Sequence, residues 1–124
     1  MKYIIGLVFF LSILTAQVTD KNFKNEIGSG FALIVFTSEW QEKDLDPEIL
    51  KGVKGHEGVK IHIVASKKLK KVCKKLRIRN FPSIALFHDG SKKEVWKADM
   101  SGKIDCSASD IKKAIDNVSA GDVF

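Results

Sequence analysis

The sequence predicts an α/β fold in which a central mixed β-sheet is flanked by helices on both faces. The first observation is an apolar, partly β-branched run at 31–36, which is typical of a strand buried on both faces. The second is the alternation along the chain of segments with helical and strand spacing. The third is an Asp89-Gly90 turn between two strand-like segments, which predicts an antiparallel hairpin.

Apolar spacing and turn residues define the individual elements. In chain order they are a helix at 20–27, a strand at 31–36, a helical unit from Trp40 to Lys54, a strand at 59–65, a helix at 69–76, strands at 83–87 and 93–98, and a helix at 107–118. Each helix carries apolar residues three or four positions apart, on one face. Three of the four predicted helices start with a capping side chain or a proline: Thr19 or Asp20, Pro47, and Ser107 or Ser109.

The amino-terminal residues have the composition of a secretory signal. A lysine precedes the mainly apolar run 3–14, and the small residues Thr15 and Ala16 follow, which predicts cleavage after Ala16. An uncleaved membrane anchor is the alternative, but this run is shorter than the roughly 20 apolar residues that span a bilayer. We therefore expect a signal peptide at 1–16 and one domain at 17–124, without a later transmembrane segment. The protein would be secreted or lie in the lumen of the endoplasmic reticulum.

Charge is distributed unevenly in a chain whose net charge is +6. Five acids crowd one segment: Glu39, Glu42, Asp44, Asp46 and Glu48. Four of them, Glu42, Asp44, Asp46 and Glu48, could offer oxygens to calcium. The segment lacks the glycine and the regular spacing of a dedicated calcium loop, however, and an acid-rich helix start explains these residues. Eight basic residues lie at 67–79 with no acid between them. No aromatics interleave, so we expect a solvated helix face and no nucleic-acid partner, with acidic polypeptides or anionic lipid head groups as the next alternatives.

Two cysteines, Cys73 and Cys106, exclude a disulfide-scaffolded mini-domain but allow one bridge or two free thiols. Cys73 shares the apolar face of its helix, which favours a buried structural role. Its lysine neighbours would lower the pKa of the thiol if it were exposed, and Cys106 lies near a predicted helix start, which favours the thiolate. The histidines show no metal-binding spacing, so we expect no metal or other cofactor. Asn117 begins a glycosylation sequon.

Three segments contain motifs of a known family. Residues 18–23 are VTDKNF, residues 36–40 are FTSEW, and residues 79–90 are RNFPSIALFHDG. In that order they resemble the LTDxxF, FWAEW and RGIPTLLLFKNG motifs of the thioredoxin family, especially of protein disulfide isomerase domains. The resemblance covers nearly all of the chain after residue 16 and implies the thioredoxin fold. It also implies a cis peptide bond between Phe81 and Pro82, which is chemically plausible because residue 82 is proline.

The redox motif of that family is absent. The family places Cys-x-x-Cys directly after the tryptophan, and here Gln41 and Asp44 take the two cysteine positions after Trp40. Neither side chain can form a mixed disulfide, which requires a thiolate nucleophile. Val35 stands where many thioredoxins have a buried acid. By resemblance, the domain is therefore redox-inactive.

The resemblance further implies a surface that binds extended or unfolded polypeptide. Its contact residues would be Trp40, Gln41, Phe81, Pro82 and Ser83. This surface predicts a chaperone or adaptor role in protein folding, with polypeptide clients or a partner protein. Two alternatives stay open. The tryptophan and the proline could serve only the fold, or Cys73 and Cys106 could form a relocated thiol–disulfide oxidoreductase or isomerase site.

Overall fold

A computed structural model describes residues 18–38 and 47–121. Its helices and strands are α1 (Phe23–Glu26), β1 (Phe31–Thr37), α2 (Pro47–Val53), β2 (Lys60–Ala65), α3 (Lys70–Leu76), β3 (Ser83–His88), β4 (Ser91–Trp96) and α4 (Ala108–Gly121). Short 3₁₀ helices at His56–Gly58 and Ser66–Leu69 precede β2 and α3. The predicted signal peptide and most of the acidic segment lie outside the described residues.

The four strands form one mixed sheet in the order β2-β1-β3-β4. β1 pairs in parallel with β2 and antiparallel with β3, and β3 pairs antiparallel with β4. All seven residues of β1 are buried, because this strand lies between two others and has helices over both faces. The predicted fold class is thus confirmed.

Alternate residues of β1 enter two separate apolar cores, because successive side chains of a strand point to opposite faces. Ala32, Ile34 and Phe36 pack with residues of α1 and α3, whereas Leu33 and Val35 pack with α2 and α4. We call these two sides of the sheet the α1/α3 face and the α2/α4 face. Each face is covered by two helices, so helices flank the sheet on both sides.

Helix capping differs from the prediction at the start of the chain. Asp20 does not cap α1, which has no side-chain cap. Its carboxylate instead accepts hydrogen bonds from the backbone N–H groups of Lys71 (3.1 Å) and Val72 (3.2 Å), in the first turn of α3. Such first-turn N–H groups lack partners within their own helix, which is why a carboxylate stabilises them.

At the last helix the prediction holds. The backbone N–H of Asp110 donates to the Ser107 hydroxyl at 3.1 Å, and the Ser107 N–H donates back to the Asp110 carboxylate at 3.0 Å. This reciprocal pair is a capping box, which fixes where α4 begins. β4 begins at Ser91, earlier than predicted, because pairing with β3 starts directly after the tight turn.

Candidate functional site

The candidate site lies where β1 ends and β3 begins. Phe36 of β1 pairs with Ser83 of β3, so the Phe81-Pro82 turn lies beside the carboxyl end of β1. The next part of the chain, which carries Trp40, Gln41 and Asp44, lies outside the described residues. What the structure does describe of the predicted site is therefore the segment that precedes β3.

Phe81 is the half-buried aromatic residue of this turn. The Phe81-Pro82 peptide bond is cis, as predicted. Pro82 and Ser83 are fully buried, whereas Phe81 is partly exposed and packs against the core of the α1/α3 face. Of the three described residues predicted to contact a polypeptide, Phe81 alone therefore offers a side chain at the surface.

The Ser83 side chain is turned inward and holds the turn together. Its hydroxyl donates to the carbonyl of Asn80 at 2.8 Å and accepts from the backbone N–H of Ala98 at 3.0 Å. The Asn80 amide donates in turn to the Ala98 carbonyl at 3.4 Å. The Ser83 hydroxyl thus makes its hydrogen bonds within the domain, and the contact of Ser83 with a polypeptide stays a prediction. The sequence offers no local signal for a bond to a residue fifteen positions away.

The two cysteines are free thiols on opposite faces of the sheet. Cys73 belongs to the core of the α1/α3 face, and Cys106 packs against the core of the α2/α4 face. A disulfide requires Cα atoms within about 7 Å of each other. The sheet between the two cores prevents the Cys73–Cys106 bridge that the sequence left open.

Both thiols are held in the protonated form. Burial, with a smaller contribution from Asp20, raises the pKa of Cys73 to about 11. Burial, followed by the carboxylates of Asp110 and Asp105, raises the pKa of Cys106 to about 12. The expectation that the nearby helix start would favour the Cys106 thiolate is therefore corrected. Desolvation and two acidic neighbours outweigh the helix dipole.

The remaining predicted site residues lie apart from the turn. Asn117 of the sequon is exposed on α4. His56 forms an ion pair with Asp116 at 2.8 Å when it is protonated. Within 18–38 and 47–121, no three His, Cys, Asp or Glu side chains come together as a possible metal site. No helix in these two ranges is long and apolar enough to cross a membrane.

Comparison with known proteins identifies the relatives of this chain. Residues 14–117 match the family model described as Thioredoxin. The fold is similar to thioredoxin of Plasmodium falciparum, with 17% identity over 82% of this chain and 95% of that one, at a TM-score of 0.61. It is also similar to the Malassezia sympodialis thioredoxin Mala s 13, with 19% identity over 80% and 87% of the chains, at a TM-score of 0.60. No curated protein matches the sequence.

Proposed function

Because this chain belongs to the thioredoxin family, we propose that it is a redox-inactive member that binds extended or unfolded polypeptides at the Phe81 end of the sheet. It would act as a chaperone or adaptor for protein folding in the secretory pathway. The observation that carries this proposal is the placement of the two cysteines. They lie on opposite faces, and neither occupies the Cys-x-x-Cys positions after Trp40.

Disulfide exchange requires a thiolate attacker and, in this family, a second thiol that resolves the mixed disulfide. Gln41 and Asp44 supply neither. With a pKa of about 11, Cys73 is thiolate in only about one molecule in 10⁴ at pH 7, and Cys106 in still fewer. The thiol chemistry of these two residues therefore argues against disulfide exchange through either of them.

Polypeptide binding is supported by an apolar side chain that does not depend on sulfur. Phe81 is partly exposed beside the end of β1. Trp40 follows β1, which ends at Thr37, by three residues in the sequence. We propose it as the second aromatic contact of this surface. The acids that flank Trp40 would favour basic client segments and disfavour acidic ones.

The location in the secretory pathway is proposed from the apolar run 3–14 and the exposed sequon asparagine, Asn117. Expression of the full chain in eukaryotic cells tests it. We expect a product cleaved after Ala16 that is found in the endoplasmic reticulum or the medium, and that loses mass on treatment with an N-glycosidase if the sequon is used. An uncleaved, cytosolic product would contradict this location.

Titration of fluorescent, unfolded peptides tests the binding function. We expect micromolar affinity, which corresponds to about 8 kcal/mol, for basic peptides and weaker binding for acidic ones. Trp40→Ala and Phe81→Ala should weaken binding, whereas Met100→Ala should not, because Met100 is an exposed apolar residue (94% exposed) in another loop. Unchanged binding in both aromatic variants would refute the proposed surface.

An insulin-reduction assay with dithiothreitol separates binding from catalysis. We expect no acceleration by the protein, and full peptide binding by the Cys73→Ser, Cys106→Ser double variant. Acceleration that disappears in this double variant would instead favour an oxidoreductase with relocated cysteines. The two assays thus measure peptide binding and disulfide reduction independently on the same protein.

A further inference from the structure

A second concave surface lies on the α1/α3 face, away from the Phe81 end of the sheet. A groove of about 440 Å³ runs between α1, α3 and the start of β4. Its apolar floor consists of Phe23, Ile27, Val72, Leu76 and Phe87. The rings of Phe23 and Phe87 meet edge to face, with their centroids 5.3 Å apart, which holds the floor in a defined shape.

Lysines surround this floor on every element that borders it. They are Lys21, Lys24, Lys71, Lys75 and Lys92. All five are exposed. Lys71 and Lys75 are four residues apart on α3 and therefore lie side by side. Lys21 and Lys24 border the side of α1, so the apolar floor lies between two pairs of positive charges.

The positive charge of this rim is only partly balanced within the described part of the chain. None of the five lysines forms an ion pair with a residue of 18–38 or 47–121. One acid, Asp20, lines the groove. Its carboxylate accepts hydrogen bonds from the backbone N–H groups of Lys71 and Val72 and supplies a single negative charge. The groove lining therefore keeps a net positive charge, which solvent ions or a bound partner would balance.

We propose that this surface, the basic groove, binds an acidic amphipathic segment of a partner polypeptide. The apolar side chains of that segment lie on the floor between Val72 and Leu76, and its carboxylates lie against the lysine pairs. An apolar stripe flanked by acids complements an apolar floor flanked by lysines, as in other complexes of a helix in a groove. A small anion would leave the floor uncovered, whereas an acidic amphipathic segment covers the floor and also pairs with the lysines.

The basic groove does not depend on the polypeptide surface proposed at Phe81. The two surfaces have opposite charge preferences, because acids flank Trp40 whereas lysines surround the groove. One domain could then hold a basic client and an acidic partner at once.

Fluorescence anisotropy with a labelled synthetic peptide tests the proposal on the full chain. The probe is a helical peptide with a leucine stripe flanked by glutamates, and its control has glutamines in place of the glutamates. We expect micromolar binding of the glutamate peptide that weakens as salt is raised, and much weaker binding of the glutamine peptide. The Lys71→Glu, Lys75→Glu double variant should lose about tenfold in affinity, the equivalent of about 1.4 kcal/mol.

The matched control reverses two exposed lysines elsewhere, in a Lys54→Glu, Lys113→Glu double variant. It changes the net charge equally but should keep the affinity of the original chain. A Leu76→Gln variant, checked for native circular dichroism, should also weaken binding, since it removes part of the floor. Equal losses in both double variants would show non-specific attraction and overturn the proposal. Peptide binding that is absent while oleate binds would assign the groove to an anionic amphiphile and overturn it as well.

Discussion

The Ser83 hydroxyl accepts a hydrogen bond of 3.0 Å from the backbone N–H of Ala98. Through this bond the first residue of β3 anchors the chain that follows β4. The same hydroxyl donates to the Asn80 carbonyl and so closes the turn that contains Phe81 and Pro82. One buried side chain therefore connects the candidate polypeptide surface to the carboxyl-terminal third of the domain.

The Ser83→Ala variant should be destabilised by about 1–3 kcal/mol, the cost of leaving a buried polar group unpaired. Ser83 is 0% exposed, so water cannot replace the lost hydroxyl without rearrangement of the turn. Urea unfolding followed by circular dichroism measures the change. Ser101→Ala is the control, because that hydroxyl bonds Asp99 in an exposed loop and its loss should change stability little. Equal effects of the two substitutions would contradict this role of Ser83.

Gly52→Ala should destabilise the contact between α2 and α4. A Cβ added at Gly52 would lie 2.5 Å from the Cβ of Ala108, so one of the two helices must move. Overpacking of this kind costs about 1–3 kcal/mol, which exceeds the better helix propensity of alanine of about 1 kcal/mol. Gly121→Ala is the matched control, because nothing lies within 4 Å of a Cβ there. Thermal unfolding should show a lower midpoint for the first variant alone.

The order of helices and strands follows from local sequence, which is why it could be predicted. The run 31–36 is apolar at every position, and a strand with neighbours on both sides and helices over both faces demands that pattern. Asp89 and Gly90 both take positive φ angles in the turn between β3 and β4, as their residue types favour. A buried-strand pattern and a tight-turn pattern, each read from a short stretch of sequence, leave few alternative folds.

The polar side chains of the site were harder to predict, because their partners are distant in sequence. Local spacing predicts Thr19 or Asp20 as the cap of the first helix, but the Asp20 carboxylate accepts hydrogen bonds from the first turn of α3, about fifty residues later. The nearby helix start favours a Cys106 thiolate, but burial against the α2/α4 face raises the pKa of Cys106. Contacts of this kind depend on how the helices pack on the sheet, which local spacing does not encode.

Stability should fall in mild acid because of His62. Its Nε2 is shielded from solvent and has no hydrogen-bond partner within the described part of the chain. Burial lowers the pKa of His62 below the ordinary value of 6.5, against the opposing effect of Glu26 and with a smaller lowering effect of Lys60. The unfolded chain therefore binds this proton more readily than the folded one. The stabilisation is present above pH 6.5 and is lost as the pH falls towards the lowered pKa.

The His62→Leu variant should remove this part of the pH dependence. Below pH 6.5, the free energy of unfolding of the original chain should fall by at most about 1.4 kcal/mol per pH unit through this histidine. The variant should show a correspondingly smaller loss between pH 7.5 and pH 5. Urea unfolding at a series of pH values measures both curves. Parallel curves for the two proteins would contradict the assignment to His62.

The two thiols should be slow to react in the folded protein. Alkylation by iodoacetamide requires the thiolate, and the pKa values of about 11 and about 12 keep both cysteines protonated at pH 8. In the folded protein, we expect the alkylation rate to keep rising between pH 9 and pH 11. In the urea-unfolded chain, the rate should level off just above pH 9.0, the ordinary pKa of a cysteine thiol. Peptide mass spectrometry assigns the rate to each cysteine, and both should react far more slowly in the folded protein than in the unfolded chain.

Oxidation of the same protein distinguishes the binding function from the redox alternative. Cys73 and Cys106 lie on opposite faces of the sheet, so mild oxidation of the folded chain should form no bridge between them. An internal disulfide would lower the mass of the protein by two hydrogens, and we expect no such decrease. Both thiols should still react with an alkylating reagent after the protein is unfolded. Oxidation in urea is the control, since the unfolded chain can bring the two sulfurs together. A bridge that forms rapidly in the folded protein would contradict the placement of the cysteines and, with it, the observation that supports a redox-inactive function.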